Sequence, residues 1–201
     1  MRKILITGFD PFANARINPA REAVFTLPDV ISGFEVVKLE VPTIYGVAGE
    51  VASDAVKKHS PSMIICVGQA GGRDAITPDM VAINCRYADI ADNSGSVMRD
   101  VPVVCGGPAA YFATVPVRKM ASAIVSAGLP GKVSYSAGTF VCNDLFYSLL
   151  HKFPDIPTGF IHVPFLPEQS GAGQPSLSLS DTVRGLIAAI SAAAESLTKE
   201  K

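Results

Sequence analysis

The sequence has no tryptophan, no apolar run long enough to span a bilayer and no block of charge of one sign. Its 17 basic and 18 acidic residues give a formal net charge of −1, and no basic stripe predicts binding to nucleic acid or to a membrane surface. The apolar N-terminal run reaches Asp10-Pro11 too soon to be a signal peptide. We therefore expect neither nucleic acid nor a membrane as a partner.

Cysteine is scarce as well. The four cysteines, Cys66, Cys85, Cys105 and Cys142, are too far apart for a paired metal-ligand motif, and we expect no metal site. A disulfide scaffold is not expected at this length and spacing, which favours a reducing cytoplasm. The 201 residues, 48% of them hydrophobic, suffice for one domain with a substantial core, so we expect a single domain over residues 1–201.

What the sequence does contain is a regular alternation of strand-like and helix-like segments. Strands are predicted at 3–9, 34–41, 62–67, 79–87, 132–135 and 158–165, with 101–104 as a returning hairpin strand. Helices are predicted from Pro19, at 47–58, at 117–127, from Asn143 and at 181–197. This order predicts an α/β fold, a three-layer α/β/α sandwich around a mixed, mainly parallel sheet of the phosphorylase/hydrolase-like kind.

The most informative stretch is 134–151, in which a predicted strand breaks at small residues and a helix follows. Asn143 or Asp144 is expected to cap that helix, and Cys142 lies directly before them. The N-terminal end of a helix carries unpaired N–H groups and a partial positive charge, which favour a thiolate and can hold an oxyanion. The residues alone leave two interpretations open, because Cys142 is either a nucleophile or a buried core cysteine.

Other candidate residues follow predicted strands, at the sheet edge where α/β folds bind ligands. Phe9 and Phe12, around the end of the first strand, either pack in the core or line a pocket. Asn18 is expected to cap the first helix. The glycine-rich loop 68–73 lacks the lysine and the spacing of a phosphate-binding loop. His162, inside the last strand, is either a satisfied core histidine or a base.

Four separate stretches resemble motifs of the pyroglutamyl peptidase I family of cysteine peptidases, also called pyrrolidone-carboxylate peptidases. They are Thr7-Gly8-Phe9-Asp10-Pro11-Phe12 with Asn18-Pro19, Val67-Gly68-Gln69-Ala70-Gly71-Gly72-Arg73, Ala137-Gly138-Thr139-Phe140-Val141-Cys142-Asn143 and Ile161-His162-Val163-Pro164. The resemblance runs over nearly the whole chain, up to about Gln169. Because four motifs in the right order are far more specific than one, the resemblance favours Cys142 as a nucleophile.

The resemblance implies a cysteine exopeptidase that removes an N-terminal pyroglutamyl residue from peptides and needs no cofactor. Cys142 would attack the pyroglutamyl carbonyl and form a thioester, which water would then hydrolyse. His162 would take the thiol proton and later give one to the leaving amine. Asp79 stands where the family has the glutamate of its catalytic triad. The expected partners are N-terminally pyroglutamylated peptides.

The resemblance also implies a pocket for the flat, neutral lactam ring. Its apolar wall would be formed by Phe9, Phe12, Thr43, Ile90 and Phe140, and Val141 would also bind the substrate. Asn18 and Gln69 would hydrogen-bond the lactam amide. Selectivity would follow because any other N-terminus leaves those polar groups unpaired.

Two positions depart from the family pattern. Asp79 replaces a glutamate, which shortens the group that should orient His162. Asp89 replaces an arginine, which puts an anion close to the expected thiolate. Both changes bear on the rate and its pH dependence and leave the expected fold and ring pocket untouched.

These departures motivate a second hypothesis, a weakly active or non-catalytic paralogue that binds pyroglutamyl ligands. A third hypothesis is a nucleoside-phosphorylase-like enzyme, which has an overlapping architecture but needs a phosphate site that the sequence does not show. The resemblance also implies a homo-oligomer, a tetramer by family analogy, and we expect the protein in the cytoplasm.

Overall fold

The computed structural model describes residues 1–199. In chain order its elements are β1 (Lys3–Phe9), α1 (Pro19–Thr26), β2 (Val30–Ile31), β3 (Phe34–Val41), α2 (Val47–His59), β4 (Met63–Gln69), β5 (Thr77–Asp79), β6 (Val81–Ile83), β7 (Ala110–Phe112), α3 (Val117–Ser126), α4 (Val141–Lys152), β8 (Thr158–Val163) and α5 (Leu179–Lys199). The bounds predicted for β1 and β3 match these ranges, because β1 is a continuous apolar run and β3 alternates until it ends before Pro42.

Six strands form the main sheet in the order β2-β3-β1-β4-β8-β5. The central strands β3, β1, β4 and β8 run parallel, whereas β2 and β5 are antiparallel to their neighbours. β6 and β7 form a separate antiparallel pair. The sheet is therefore mixed and mainly parallel, as predicted.

Helices cover both faces of the main sheet. Alternate residues of β1 point to opposite faces, so Ile4 and Ile6 join one core and Leu5 joins the other. The first core is closed by α1, α3 and α5, and the second by α2 and α4. The predicted three-layer α/β/α sandwich is therefore confirmed. None of the described helices combines the length and the apolar character that crossing a membrane requires.

The segment predicted as one strand, 79–87, contributes to two sheets. Asp79 ends β5, which pairs with β8 in the main sheet, and Val81 begins β6, which pairs with β7. The chain changes sheet at Met80, whose N–H donates to the carbonyl of Ser134 at 2.7 Å. Periodicity marks each piece as extended but does not reveal the change of sheet.

The strands predicted at 101–104 and 132–135 do not form. β6 takes β7 as its hairpin partner, and Val101 makes only an isolated bridge to Arg86. In the second segment Ser134 makes only an isolated bridge, to a residue of β5. Both segments lie beside extended chain but make only isolated bridges instead of a continuous series of strand hydrogen bonds. Apolar alternation alone therefore predicts strands where none form.

The helix α4 begins at Val141, two residues before the predicted start, with Phe140 as its N-cap residue and without a side-chain cap. Asn143, the expected cap, is buried and bonds the chain after β5 instead. Its Oδ1 accepts from Ile83 N at 2.8 Å, and its Nδ2 donates to Ile83 O at 2.8 Å and to Cys85 O at 3.0 Å. The side chain therefore fixes the position of α4 rather than its first turn.

Candidate active site

The candidate site lies at the carboxyl-terminal edge of the parallel strands, where the ligand sites of α/β sheets are found. Because β1, β3, β4 and β8 run parallel, residues far apart in sequence arrive at the same edge. The residues gathered there are Phe9, Phe12 and Asn18 around and after the end of β1, Thr43 after β3, Gln69 at the end of β4 and His162 near the end of β8. Cys142 joins them from the first turn of α4.

A buried hydrogen bond joins His162 to Asp79. The register of β5 and β8 sets Asp79 opposite Phe160, and His162 lies two residues farther along β8 on the same face. His162 Nδ1 is 2.7 Å from Asp79 Oδ2, and both side chains are buried. With Nδ1 bonded to the carboxylate, Nε2 is the ring nitrogen left for proton transfer.

Aspartate is long enough at position 79. Its contact with His162 is a direct hydrogen bond of ordinary length, so no bridging water is needed. Arg73 supports the other carboxylate oxygen, with Nη1 3.5 Å from Asp79 Oδ1, and also donates to Thr77 Oγ1. The carboxylate is therefore held at both oxygens.

Cys142 packs against the end of β4. A Cβ added at Gly68 would lie 2.9 Å from Cys142 Sγ and 2.8 Å from the ring of Phe160. Glycine is therefore required for the helix and the strand to approach this closely. Because Gly68 is also the register partner of His162, the thiol and the histidine strand meet at this glycine.

Burial raises the pKa of the Cys142 thiol, in contrast to the thiolate expected from its position in the helix. The negative charge of Asp79 raises this pKa further, and the positive charge of Arg73 opposes the rise. Desolvation therefore outweighs the field of the helix N-terminus. A thiol that is neutral at rest needs a base at the moment of attack, and Nε2 of His162 is suited to that task.

Backbone N–H groups at the start of α4 are available beside the thiol. The first internal hydrogen bond of α4 runs from Asp144 N to Phe140 O at 3.1 Å. The N–H groups of Val141, Cys142 and Asn143 precede it and have no helical acceptor one turn earlier. Such donors can hold the negative oxygen that develops on a carbonyl under attack.

Beside the thiol is a pocket of about 180 Å³, lined by Phe9, Phe12, Asn18, Thr43, Gln69, Ala137, Gly138, Thr139, Phe140, Cys142 and His162. The rings of Phe12 and Phe140 have centroids 5.8 Å apart, and Tyr45 packs edge-on against Phe140 at 5.5 Å. No lining residue carries a permanent charge. The pocket therefore suits a small, flat, neutral group.

Two amide side chains are among the polar groups that line the pocket. Asn18 caps α1 as predicted, since Oδ1 accepts from Ala20 N at 3.0 Å, and Nδ2 donates to Asp10 O at 3.0 Å. Gln69 Oε1 accepts from Gln169 Nε2 at 3.2 Å. Because a primary amide has two N–H hydrogens, Asn18 keeps one for a ligand and Gln69 keeps both.

Three residues expected at the site lie elsewhere. Val141, the first residue of α4, points into the core and is fully buried, and Ile90 is 49% exposed. Neither residue lines the pocket. Asp89, expected close to the thiol, has a largely exposed carboxylate whose Oδ1 lies 3.2 Å from Arg99 Nη2. The charged side chains that most affect the thiol pKa are therefore Asp79 and Arg73.

Four residues at the site had no role predicted from the sequence. They are Arg73, which supports Asp79, and Ala137, Gly138 and Thr139, which line the pocket. Their only signal was membership of the family motifs, since Arg73 closes the glycine-rich motif and the other three open the cysteine motif. Among the described residues, no three His, Cys, Asp or Glu side chains converge as a metal site.

Comparison with known proteins identifies the family. A family model described as pyroglutamyl peptidase matches residues 2–196. The chain belongs to the pyroglutamyl peptidase family. It is 50% identical over 198 residues to the pyrrolidone-carboxylate peptidase of Lactobacillus acidophilus, covering 96% of this chain and 99% of the relative. It is 52% identical over 196 residues to that of Levilactobacillus brevis, covering 94% and 96%.

Solved structures agree with this pyroglutamyl peptidase assignment. The crystal structure of pyroglutamyl peptidase I from Bacillus amyloliquefaciens matches with a TM-score of 0.93 at 44% identity, over 97% of this chain and 98% of that one. A mutant pyrrolidone carboxyl peptidase from Pyrococcus furiosus matches with a TM-score of 0.92 at 36% identity, over 97% and 99%. The predicted family and fold are confirmed, and the family makes the chain a cysteine peptidase rather than a nucleoside-phosphorylase-like enzyme.

Proposed function

We propose that this chain hydrolyses the bond after an N-terminal pyroglutamyl residue, with Cys142 as nucleophile, His162 as acid and base, and Asp79 as the residue that orients the histidine. One observation carries the proposal. The 2.7 Å hydrogen bond between His162 Nδ1 and Asp79 Oδ2 lies beside a neutral pocket that also contains the Cys142 thiol. Family membership supplies the reaction, and this geometry supports the roles of the residues.

Acylation starts from the neutral thiol. Cys142 Sγ attacks the pyroglutamyl carbonyl carbon while His162 Nε2 takes the thiol proton. Asp79 stabilises the imidazolium through Nδ1–H, and N–H groups at the start of α4 stabilise the oxyanion. The C–N bond then breaks, the imidazolium proton passes to the leaving amine, and a thioester remains on Cys142.

Deacylation repeats these steps with water as the nucleophile. His162 Nε2 takes a proton from water, whose oxygen attacks the thioester carbonyl. The C–S bond breaks, and the proton returns from His162 to the sulfur of Cys142. Free pyroglutamate leaves, and the enzyme is restored with its neutral thiol and neutral imidazole.

The pocket supports selectivity for a lactam over other N-termini. Its aromatic walls, Phe12 and Phe140, suit a flat ring, and the amides of Asn18 and Gln69 offer hydrogen bonds to it. An ordinary N-terminus would bring an ammonium group into a pocket without a carboxylate, which costs desolvation free energy. It would also leave the amide groups without their partner.

The hypothesis of a non-catalytic paralogue depends on Asp79 and Asp89. Asp79 reaches His162 directly, and Asp89 lies in an exposed ion pair with Arg99. Neither position gives a structural reason for lost catalysis, so the peptidase is the function that the geometry favours.

A chromogenic pyroglutamyl amide tests the proposal directly. We expect turnover that iodoacetamide abolishes, with alkylation of Cys142 located by mass spectrometry. Binding of the substrate without turnover would replace the proposal with the binding paralogue. Turnover that survives complete alkylation of Cys142 would rule out a mechanism with this thiol as the nucleophile.

We propose that the chain acts as one catalytic domain over residues 1–201, because residues from Phe9 to His162 close a single pocket. By family analogy we propose a homo-oligomer, a tetramer, acting on pyroglutamyl peptides in the cytoplasm. Size-exclusion chromatography with light scattering measures the oligomeric state.

A further inference from the structure

Gln169 joins three segments that meet at the ring pocket. Its Nε2 donates to Ile17 O at 3.0 Å and to Gln69 Oε1 at 3.2 Å, and its Oε1 accepts from Leu166 N at 3.2 Å. The segments are the loop before α1, the end of β4 and the turn after β8. Gln169 does not itself line the ring pocket.

The backbone fixes which end of the Gln169 amide faces which neighbour. Leu166 N–H can only donate, so the Gln169 atom next to it must be the oxygen. The carbonyl of Ile17 can only accept, so the atom next to it must be the NH₂ group. No flip of the Gln169 amide satisfies both backbone groups.

The orientation of Gln69 follows from that of Gln169. Because Gln169 presents NH₂, the Gln69 atom facing it must be the oxygen, Oε1. The Gln69 NH₂ group is left on the other side, with no acceptor among the described residues 1–199, on a side chain that lines the ring pocket. A lactam offers one carbonyl oxygen, which is the partner that this NH₂ group needs.

Without that restraint Gln69 has an alternative. It borders both the ring pocket and an adjoining open cavity of about 710 Å³, which Gln169 also lines. A free Gln69 amide can therefore turn toward water in the larger cavity or present its oxygen to the lactam carbonyl. Either change removes the hydrogen bond and leaves a buried polar atom of the ligand unpaired.

We propose that Gln169 is a positioning residue that holds the Gln69 amide with its NH₂ group toward the ring pocket, where it donates to the lactam carbonyl. This inference rests on the proposed pyroglutamyl specificity and adds to it a residue that does not touch the substrate. Gln169 acts on recognition of the ring, so its loss raises KM and leaves kcat nearly unchanged.

A double-mutant cycle between Gln169→Met and Gln69→Ala tests the inference. KM and kcat are measured for a fluorogenic pyroglutamyl amide, and the affinity of pyroglutamyl-alanine is measured by calorimetry in Cys142→Ala protein. We expect Gln169→Met, which keeps the volume and removes the hydrogen bonds, to raise KM and Kd about tenfold. In the Gln69→Ala background the same change is expected to have no further effect.

Two further variants sharpen the test. Gln169→Glu presents an acceptor where Gln69 now finds a donor. The Gln69 NH₂ group then turns toward the new carboxylate and away from the ring pocket, so binding weakens more than in Gln169→Met. Gln174→Ala is the matched control, because Gln174 lies in the same segment and its Oε1 accepts from Gly171 N at 3.1 Å, away from the site. We expect its kinetics to equal those of the wild type. Thermal melting identifies any variant that fails to fold. If a Gln169 variant fails to fold, Gln169→Ala is used in its place.

The outcomes separate this inference from the proposed function. An equal loss of affinity in both Gln69 backgrounds, or no loss in either, overturns the positioning role. If pyroglutamyl-alanine binds with the expected coupling while the wild type fails to turn over substrate, the peptidase proposal fails and the positioning role stands. If the protein does not bind pyroglutamyl-alanine, both are overturned.

Discussion

Cys66 and Cys142 lie near the same strand, but Cys66 is fully buried whereas Cys142 is only partly buried and lines the ring pocket. Cys66 lies in the middle of β4, is fully buried in the core, and burial raises its pKa to about 12. Burial also raises the pKa of Cys142, whose sulfur approaches the same strand at Gly68. A raised thiol pKa therefore does not distinguish the proposed nucleophile from the core cysteine. The difference is that Cys142 has a pocket beside it that also holds His162.

Replacing each cysteine with alanine gives the largest expected contrast. Cys142→Ala is expected to lower kcat/KM for a pyroglutamyl amide by more than about a thousandfold, because the nucleophile is lost. Cys66→Ala is expected to lower the free energy of unfolding by about 1 to 2 kcal/mol through the cavity it leaves, while the folded protein stays active. Turnover by each variant and its denaturant unfolding check both expectations.

Cys85→Ala and Cys105→Ala serve as controls, since these cysteines are more exposed and lie outside the pocket. Both are expected to keep near wild-type activity and stability. If Cys142→Ala still turns over substrate, the contrast between the two cysteines disappears and another nucleophile must be sought.

Removing the Asp79 carboxylate, which bonds His162, tests the proposed catalytic role of this pair. Asp79→Ala is expected to lower kcat about a hundredfold with little change in KM, because the imidazole loses its orientation and its charge partner. Steady-state kinetics on a pyroglutamyl amide measure both constants.

Asp79→Glu is the matched variant for the difference from the family pattern. The aspartate already makes a 2.7 Å contact and is fully buried, so the longer side chain is expected to give no gain. A large gain would indicate that the present triad is impaired and would revive the binding-paralogue hypothesis. An unchanged kcat in Asp79→Ala would remove Asp79 from the mechanism.

Truncating Phe12, which lines the ring pocket, tests binding of the lactam rather than the chemistry of Cys142. Phe12→Ala is expected to weaken binding of the lactam by roughly 1 to 3 kcal/mol, because apolar area of the ring is returned to water. The change appears in KM and in the Kd of pyroglutamate, while the melting temperature changes little because Phe12 is only partly buried. Equal affinity in the variant would assign Phe12 to the core instead.

The sequence predicted this arrangement where local signals are strong and missed it where distant contacts decide. The buried strand β1 follows from a continuous apolar run, β3 from its alternation, and the cap at Asn18 from local turn chemistry. The raised pKa of the Cys142 thiol does not follow from the sequence. The position of Cys142 in the helix is a local feature, whereas its burial depends on contacts with β4 and β8. Asn143 looks like a cap in sequence but bonds Ile83 and Cys85, some sixty residues earlier.

The candidate site shows the same division. Cys142 and His162, both predicted from motifs, line the pocket, whereas Ile90, also predicted there, lies on the surface. No periodicity connects Arg73 to Asp79 or Gln169 to Gln69, since in each pair a loop side chain meets a residue at the end of a strand. A resemblance therefore supplies motif residues and gives little information about those that hold them in place.

Charge near the thiol distinguishes Cys142 from Cys66 further and predicts a pH dependence. The positive charge of Arg73 lowers the pKa of the Cys142 thiol, so Arg73→Gln is expected to raise that pKa. Since only the thiolate reacts, the rate of iodoacetamide modification at a fixed alkaline pH falls and its pH profile moves upward. Arg73→Lys, which keeps the charge, is expected to keep the profile near that of the wild type. A downward shift in Arg73→Gln would contradict the sign.

Replacing Asp89 is expected to have the smallest effect of these variants, and it tests whether an exposed charge changes the pKa of the Cys142 thiol. From sequence, an aspartate in place of the family's arginine was expected to raise the thiol pKa. In the structure its carboxylate is 79% exposed and its Oδ1 lies 3.2 Å from Arg99 Nη2. An exposed charge is screened by water and salt, and this one is also paired, so little of its field reaches the pocket. Asp89→Asn is therefore expected to leave the pH profile of iodoacetamide modification unmoved, even at low salt.

Asp79→Asn is the matched comparison and is expected to shift the profile to lower pH, because it removes the anion that raises the thiol pKa. A shift in Asp89→Asn that is abolished by high salt would show that Asp89 does act on the thiol through solvent.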